Sequence, residues 1–203
     1  MIGQKEVQKE EALRLHDIMR TGMVPINSGI AIDGGAHVGS WTVLMAEYFK
    51  LVYAFEPCAE SYAMLLQNIE PCAELCQILP FQQALVAEVG KVDIVKPARR
   101  NKVRQTLTAR QIRLNGTEVD GVTIDSLALP GCDFIKLDIE GAEPLALLGA
   151  EHTIRTYRPY LAVEFNCLSE QFGFTEEDLL AMLDRLGYNE TWRTGVDRGY
   201  AAE

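Results

Sequence analysis

The stretch "AIDGGAHVGSW", Ala31 to Trp41, decides the fold. A short apolar run ends in Asp33, and three glycines are spaced through the residues that follow. Glycine lets the backbone turn sharply and lets a ligand approach it with no Cβ in the way. The pattern predicts a strand that ends at a ligand-binding loop, just before a helix begins.

This loop departs from the dinucleotide pattern GxGxxG, because His37 stands where a middle glycine would be. A pyrophosphate is bound by helix N-terminal amides, with no carboxylate beside it. Asp33 is a poor neighbour for such an anion and a good one for an ammonium or a sulfonium. The loop alone is compatible with several families, including nicotinamide enzymes.

Further apolar runs end in acids in the same way. They are "LVYAFEP" (51–57), "CDFIKLDIEGAE" (132–143) and "RPYLAVEFN" (158–166), and helix-like segments separate them. Apolar strands that alternate with helices indicate βαβ units and a parallel sheet covered on both faces. We therefore predict an α/β fold, a Rossmann-like doubly wound, mostly parallel sheet with helices on both faces. Its ligand should lie beyond the carboxyl ends of the strands, where the strand order reverses.

The helix boundaries also carry signals. "PLALLGAEHTI" (144–154) is predicted as one helix with Pro144 in its first turn, where the missing N–H costs nothing. "TEEDLLAMLDRLGY" (175–188) is predicted as a helix with Thr175 as N-cap and Gly187 as its stop. The tail from 189 to 203 has the length of a terminal hairpin.

Length and charge limit the classes of function. A chain of 203 residues predicts one domain, 1–203, with 1–27 as a leading helical segment and 96–113 as a basic loop insertion. The net charge of −10 argues against nucleic acid as a partner, because Lys and Arg supply most of that affinity. Segment 96–113 nevertheless holds seven basic residues and no acid, which fits either a solvated loop or a site for an anionic acceptor.

Cysteine usage and hydropathy point to the cytoplasm. The five cysteines form no CxxC pair and no zinc spacing, so we expect buried free thiols in a reducing compartment. The first residues lack the apolar core of a signal peptide, and no run is long enough to cross a bilayer. We expect no membrane partner.

Glu56 indicates which ligand the loop binds, because it closes the second strand. A carboxylate at this place holds the ribose hydroxyls of an adenosine in doubly wound folds. The alternative is a solvated acid at a strand end before Pro57. An acid here also disfavours a ligand with a 2′-phosphate.

The series "IDGGAHVGSW", "VYAFEP", "QQAL", "TIDSL", "DFIKLDIEGAE" and "YLAVEFN" resembles the FkbM family of class I S-adenosylmethionine (SAM)-dependent methyltransferases. The resemblance runs from about Gly29 to Asn166, and "KLDIEGAE" is its most specific element. The leading helix, the basic segment and the tail carry none of it. The resemblance implies a loop under the methionine part of SAM, a carboxylate on the ribose, a border to the adenine and an acid at the methyl end. The residues of the loop would be Asp33, Gly35, Ala36, His37 and Gly39, and Glu56 would hold the ribose. Pro57, Gln83 and Ala84 would border the adenine, and Asp138 would face the methyl end.

Two roles are open for the acids that follow the strands. Asp138, Glu140 and Glu143 are the catalytic candidates, and Glu140 or Glu143 could accept the proton of an attacking hydroxyl. Alternatively, Glu140 and Glu143 could be helix N-terminal acids favoured by the dipole. Asp138, Glu164 and Asn166 could instead bind a divalent cation, since their oxygens suit Mg²⁺. A metal-free site is the favoured alternative.

We therefore expect a SAM-dependent methyltransferase that methylates an oxygen of a small hydroxylated, sugar-like acceptor. Acceptor specificity in such folds resides in loops and added segments. Two rivals are an NAD-dependent oxidoreductase on the same fold and a catalytically silent SAM-binding or interaction protein. The short region after Asn166 leaves room for a homo-oligomer to complete the acceptor site.

Overall fold

The computed structural model describes residues 29–95, 104–106 and 116–203. They form eleven strands, five α-helices and three short 3₁₀ segments. The strands are β1 Ile30–Gly34, β2 Leu51–Phe55, β3 Gln77–Phe81, β4 Ala84–Leu85, β5 Gly90–Val95, β6 Arg104–Thr106, β7 Gly116–Val122, β8 Phe134–Leu137, β9 Tyr160–Glu164, β10 Tyr188–Thr194 and β11 Asp197–Ala202. The α-helices are α1 Ser40–Met45, α2 Ala59–Ile69, α3 Glu143–Leu148, α4 Glu151–Tyr157 and α5 Glu176–Arg185, and the 3₁₀ segments are Glu70–Cys72, Asp125–Leu127 and Leu168–Phe172.

The main sheet has seven strands in the order β10-β11-β9-β8-β1-β2-β3. The five strands from β9 to β3 are parallel, and β10 and β11 form the antiparallel hairpin expected for the tail. Because β2 and β3 extend from one side of β1 while β8 and β9 extend from the other, the strand order reverses between β1 and β8. The predicted mostly parallel, doubly wound sheet is confirmed, and its ligand crevice is expected at this reversal.

Both faces of this sheet are covered. Neighbouring residues of a strand point to opposite faces, and Ile32 packs in one hydrophobic cluster while Ala31 packs in another. The first cluster includes residues of α3, α4 and α5, and the second includes Met45 of α1. This two-sided burial explains why the central strands show apolar runs without polar alternation.

A second, four-stranded sheet stands apart, in the order β4-β7-β5-β6. Its core contains Val92, Ile94 and Val119. The prediction of a basic loop at 96–113 is wrong at residues 104–106. These residues form β6, which pairs antiparallel with β5. The rest of that segment and the leading segment 1–27 lie outside the described residues.

The long helix expected at 144–154 is two helices, α3 and α4, separated at Gly149 and Ala150. The carbonyl oxygen of Val86 lies 2.1 Å from where a Cβ on Gly149 would stand. The backbone at Val86 therefore packs against the point where α3 and α4 separate. By contrast, α5 begins as predicted. Thr175 caps it through a reciprocal capping box with Asp178.

The cysteines follow the expectation with one exception. Cys58, Cys72, Cys76 and Cys132 are free and buried, whereas Cys167 is free but exposed. Burial raises the pKa of Cys76 to about 11, so its thiol stays protonated at neutral pH. No helix in the described part of the chain is long and apolar enough to span a membrane.

Candidate functional site

The loop after β1 is fixed between the ends of two other strands. The amides of Gly35 and Ala36 both donate to the carbonyl oxygen of Phe55, at 3.0 and 2.9 Å. Gly35 has a φ of 77°, and a Cβ there would lie 1.9 Å from the Asp138 carbonyl oxygen. Only glycine fits this close approach, so the loop packs directly against the ends of β2 and β8.

The Asp33 carboxylate lies beneath this loop and is fully buried. Its Oδ2 accepts from the Thr42 hydroxyl at 2.6 Å, and its Oδ1 is 3.1 Å from the Lys136 Nζ. This differs from the sequence interpretation, which made Asp33 a direct neighbour of a ligand cation. In the structure, the cation next to Asp33 is the Lys136 ammonium of the same chain. Asp33 therefore supports the loop from below.

Lys136 is a residue of this region that the sequence interpretation missed. It lies in the middle of β8, and its side chain is 6% exposed. Besides its contact with Asp33, its Nζ donates to the Gly35 carbonyl oxygen at 2.9 Å and is 3.8 Å from the Asp138 Oδ2. A lysine inside the apolar run "FIKL" was the available signal, because a buried cation requires a buried anion.

Glu56 lies just beyond β2 and is 7% exposed. Its Oε2 accepts from the His37 amide at 2.9 Å, and its Oε1 accepts from the Cys58 amide at 2.8 Å. Burial raises the pKa of Glu56, and the two backbone hydrogen bonds act in the opposite direction. Each oxygen therefore makes one described backbone bond and has remaining capacity for a ligand hydroxyl.

The residues expected near an adenine occupy different environments. Pro57 is buried and Gln83 is half-buried at the carboxyl end of β3. Beside them, the rings of Phe55 and Phe81 stack with centroids 4.9 Å apart. The Ala84 side chain packs in the core of the second sheet, so only its backbone remains to border a ligand.

His37 and Gly39 complete the predicted loop. His37 has a left-handed φ of 51° and an exposed side chain. Desolvation and the nearby Lys136 cation lower the pKa of its imidazole. Gly39 is the N-cap residue of α1, so the loop that contains Ala36 and His37 joins the end of β1 to the start of α1.

Asp138, Glu164 and Asn166 come together at the ends of β8 and β9. Burial, followed by the neighbouring and hydrogen-bonded Asp138 carboxyl, raises the pKa of Glu164 well above its ordinary value. The Asn166 amide donates to the Glu164 Oε2 at 2.5 Å, and its Oδ1 accepts from the Leu168 amide at 3.0 Å. The three side chains therefore contact one another, and they are not arranged around a shared cation position. Within 29–95, 104–106 and 116–203, no group of three or more His, Cys, Asp or Glu is placed to hold a metal.

Glu140 and Glu143 are not equivalent. Glu143 is 1% exposed, and its Oε1 accepts from the amides of Ile139 and Gly141 at 2.8 and 3.2 Å. It thus ties the turn before α3, and burial raises its pKa to about 7. Glu140 is half-buried with a φ of 56°, and its backbone carbonyl accepts from the Gln171 side chain.

Comparison with known proteins agrees with this geometry. Residues 33–190 match the model of the methyltransferase FkbM domain. No curated protein matches the chain significantly. Among solved structures, methyltransferase FkbM from Methylobacillus flagellatus KT is similar, with 19% identity and a TM-score of 0.63. The match covers 86% of this chain, which spans only 43% of that protein.

Two other solved structures share the fold. Magnesium protoporphyrin IX methyltransferase from Synechocystis PCC 6803, with bound SAM, has 13% identity and a TM-score of 0.54, with 100% of this chain and 81% of that one covered. An rRNA methylase from Streptococcus thermophilus has 10% identity and a TM-score of 0.53, with 88% and 90% covered. At these identities the structural matches establish the fold, and the domain match establishes the family. The chain belongs to the FkbM methyltransferase domain family and has the fold of the class I SAM-dependent methyltransferases.

Proposed function

We propose that this chain transfers the methyl group of SAM to an oxygen of a small hydroxylated acceptor. The observation that carries the proposal is the Glu56 carboxylate, which is buried at the end of β2 and anchored by two backbone amides. It lies on the β2 side of the strand reversal, while the Asp138 and Glu164 carboxyls lie on the β8 and β9 side. An elongated ligand with hydroxyls at one end and positive charge at the other matches this separation.

The residues present fit SAM. Glu56 would hold the ribose hydroxyls, and the backbone of the loop from Gly34 to Gly39 would lie under the methionine part. The Asp138 carboxylate is 45% exposed, so it is the acid best placed to face an ammonium or a sulfonium. When bound, SAM supplies an electrophilic methyl group on its sulfonium.

The Asp138 and Glu164 pair supplies the proton acceptor. A hydroxyl that attacks a methyl group loses its proton, and a base is most effective when its pKa lies near the working pH. The raised pKa of Glu164 moves it toward that range. The rate should therefore increase with pH as Glu164 loses its proton. This assigns proton transfer to Asp138 with Glu164, whereas Glu143 mainly ties its own turn.

Calorimetric titration with SAM and with NAD tests the cofactor. We expect SAM to bind and the Glu56→Gln variant to bind it at least about tenfold more weakly, because a charge-assisted hydrogen bond contributes about 1.5–3 kcal/mol. Glu88→Gln, at an exposed turn, is the matched control and should bind normally. Circular dichroism of each variant checks that the fold is retained. Binding of NAD and not of SAM would overturn the proposal in favour of an oxidoreductase.

A methyl-transfer screen of hydroxylated acceptors tests the chemistry. Glu164→Gln should retain SAM affinity and lose most turnover, whereas a silent SAM-binding protein would show no transfer with any variant. Running the same assay in EDTA examines the alternative of a divalent cation at Asp138, Glu164 and Asn166. Activity lost in EDTA and restored by Mg²⁺ would favour that alternative.

A further inference from the structure

The last strand on one side of the main sheet is β3. Its outer edge is a poor template for another strand, because Pro80 has no N–H and its carbonyl oxygen accepts from the Tyr62 hydroxyl at 3.2 Å. Tyr62 lies on α2 and packs in the same small hydrophobic cluster as Ile78 of β3. A partner that contacts this edge must therefore do so mainly through side chains.

Apolar side chains continue from Tyr62 toward the start of β3. Because α2 joins the end of β2 to the chain that enters β3, it runs antiparallel to both strands. Four residues of helix rise about 6 Å and two residues of strand rise about 6.6 Å, so Leu66 stands beside Ile78. Leu66 is 42% exposed, and Leu75, in the turn that leads into β3, is 65% exposed. We call Leu66, Leu75 and Ile78 the edge strip.

The outer side of α2 has few charges for a surface helix. Glu60 is the single charged residue among its eleven positions, and Ala63, Met64 and Leu66 are exposed. A surface helix normally places charged or polar residues opposite its buried face. Exposed apolar side chains that lie together mark interaction sites more often than isolated ones do. The helix thus extends the apolar surface beside the edge strip.

The surroundings of the edge strip are acidic. Between Lys50 and Lys91 the chain has five glutamates and no lysine, arginine or histidine. Glu70 and Glu74 follow α2 directly and are both exposed. Two edge strips placed against each other would bring these like charges together, which is unfavourable. The surface that covers the edge strip is therefore expected to be basic.

The chain itself has this complementary charge in segment 96–113. The segment holds seven basic residues and no acid, and its apolar residues include Val103, Leu107 and Ile112. It joins β5 to β7 of the second sheet, and that sheet follows the carboxyl end of β3. Leu75 lies before the amino end of β3, a strand length of about 17 Å away. A second copy, and not the same chain, is thus the source of a segment that covers the whole strip.

We propose that the edge strip is an interface between two copies of this chain, and that segment 96–113 of each copy docks on the edge strip of the other. A two-fold axis makes the two contacts identical and closes the dimer. Leu66 and Leu75 supply the apolar part of each contact. Glu70 and Glu74 at its rim attract the basic residues and fix the orientation of the partner.

Sedimentation velocity of the full chain over a concentration series tests the dimer. We expect a monomer–dimer equilibrium whose dissociation constant rises at least about tenfold between about 0.1 and 1 M salt, because the Debye length falls from about 10 to 3 Å. Leu75→Glu should raise the dissociation constant at least about tenfold. That change equals about 1.4 kcal/mol, which is less than the burial of one leucine side chain contributes.

The matched control is Val89→Glu. Val89 is also 65% exposed, but it lies in the bend before β5, away from the edge strip. A second pair of variants examines charge. Glu74→Lys should weaken the dimer, whereas Asp184→Lys, at an exposed position of α5, should leave it unchanged. Circular dichroism of each variant checks that the fold is retained.

Mixing two defective variants identifies which surfaces meet. The Leu75→Glu chain keeps its basic segment, and a chain with Arg99→Glu and Arg100→Glu keeps its edge strip. Neither should dimerise alone, but the mixture should form a heterodimer through the one contact that remains intact. A mixture that stays monomeric would refute the pairing of strip with segment.

Two further outcomes would overturn the proposal. A wild-type chain that is monomeric at every concentration would leave segment 1–27 or a different protein to cover the edge strip. A dimer that withstands both Leu75→Glu and Glu74→Lys would place the interface on another face of the molecule.

Discussion

Replacement of Lys136 by methionine should destabilise the protein far more than the loss of an ordinary salt bridge. The side chains of Lys136 and Asp33 are 6% and 0% exposed, and their Nζ and Oδ1 atoms are 3.1 Å apart. Methionine fills similar volume but leaves the Asp33 carboxylate buried with only the Thr42 hydroxyl as partner. Removing one partner of a buried pair costs about 3–5 kcal/mol in the free energy of unfolding.

A double-mutant cycle separates this charge effect from packing. The combination Asp33→Asn with Lys136→Met removes both charges, so it should be more stable than Lys136→Met alone. The coupling between the two positions should reach at least about 1 kcal/mol, within the range for residues in contact. Urea unfolding followed by circular dichroism gives the free energy of each variant, provided that the slope with urea is unchanged.

The matched control is Lys91→Met. Lys91 is 2.8 Å from Asp120, but both side chains are more than half exposed, so solvent screens the pair and little change is expected. If Lys136→Met unfolded at the same urea concentration as the wild type, or if the two effects of the cycle simply added, the support role of Asp33 would be refuted.

Three further predictions follow from buried contacts. The folded-state pKa of Glu143 is raised to about 7, so its contribution to stability is complete below the unfolded pKa of about 4.3 and is lost as pH rises toward 7. Glu143→Gln should therefore flatten this decline in stability with pH. In thermal unfolding at pH 8, the variant should be more stable than the wild type. The same decline in both proteins would contradict the raised pKa of Glu143. Gly149→Ala should cost about 1–3 kcal/mol through overpacking against the Val86 carbonyl, whereas Gly90→Ala, with nothing within 4 Å, should be tolerated; equal urea midpoints would argue against the contact. Thr175→Ala should cost about 1 kcal/mol in urea unfolding through loss of the helix cap, and an undiminished midpoint would show that the cap contributes nothing.

Features encoded locally could be predicted from the sequence. The strand ends at Asp33, Glu56 and Asp138 follow from apolar runs that stop at an acid, and the start of α5 follows from Thr175 with an acid three residues later. These signals depend on the few residues beside them. The parallel sheet follows in turn, because several such strands alternate with helices.

Contacts between distant segments could not be predicted in the same way. The partner of Asp33 is Lys136, and nothing within either segment specifies that the two strands are neighbours. The break at Gly149 likewise depends on the backbone of Val86, and β6 depends on pairing with β5. In each case, the local sequence allowed more than one structure, and a contact with a distant segment determined which one formed.

The two amide contacts of Glu56 also limit how this site can be redesigned. Its carboxylate joins the turn at His37 to the turn at Cys58. A change of this residue made to admit a ribose phosphate would remove the anchor of both turns at once. Under the proposed function, cofactor preference and loop order would both depend on this one side chain, so a change of cofactor would require compensating substitutions at both turns.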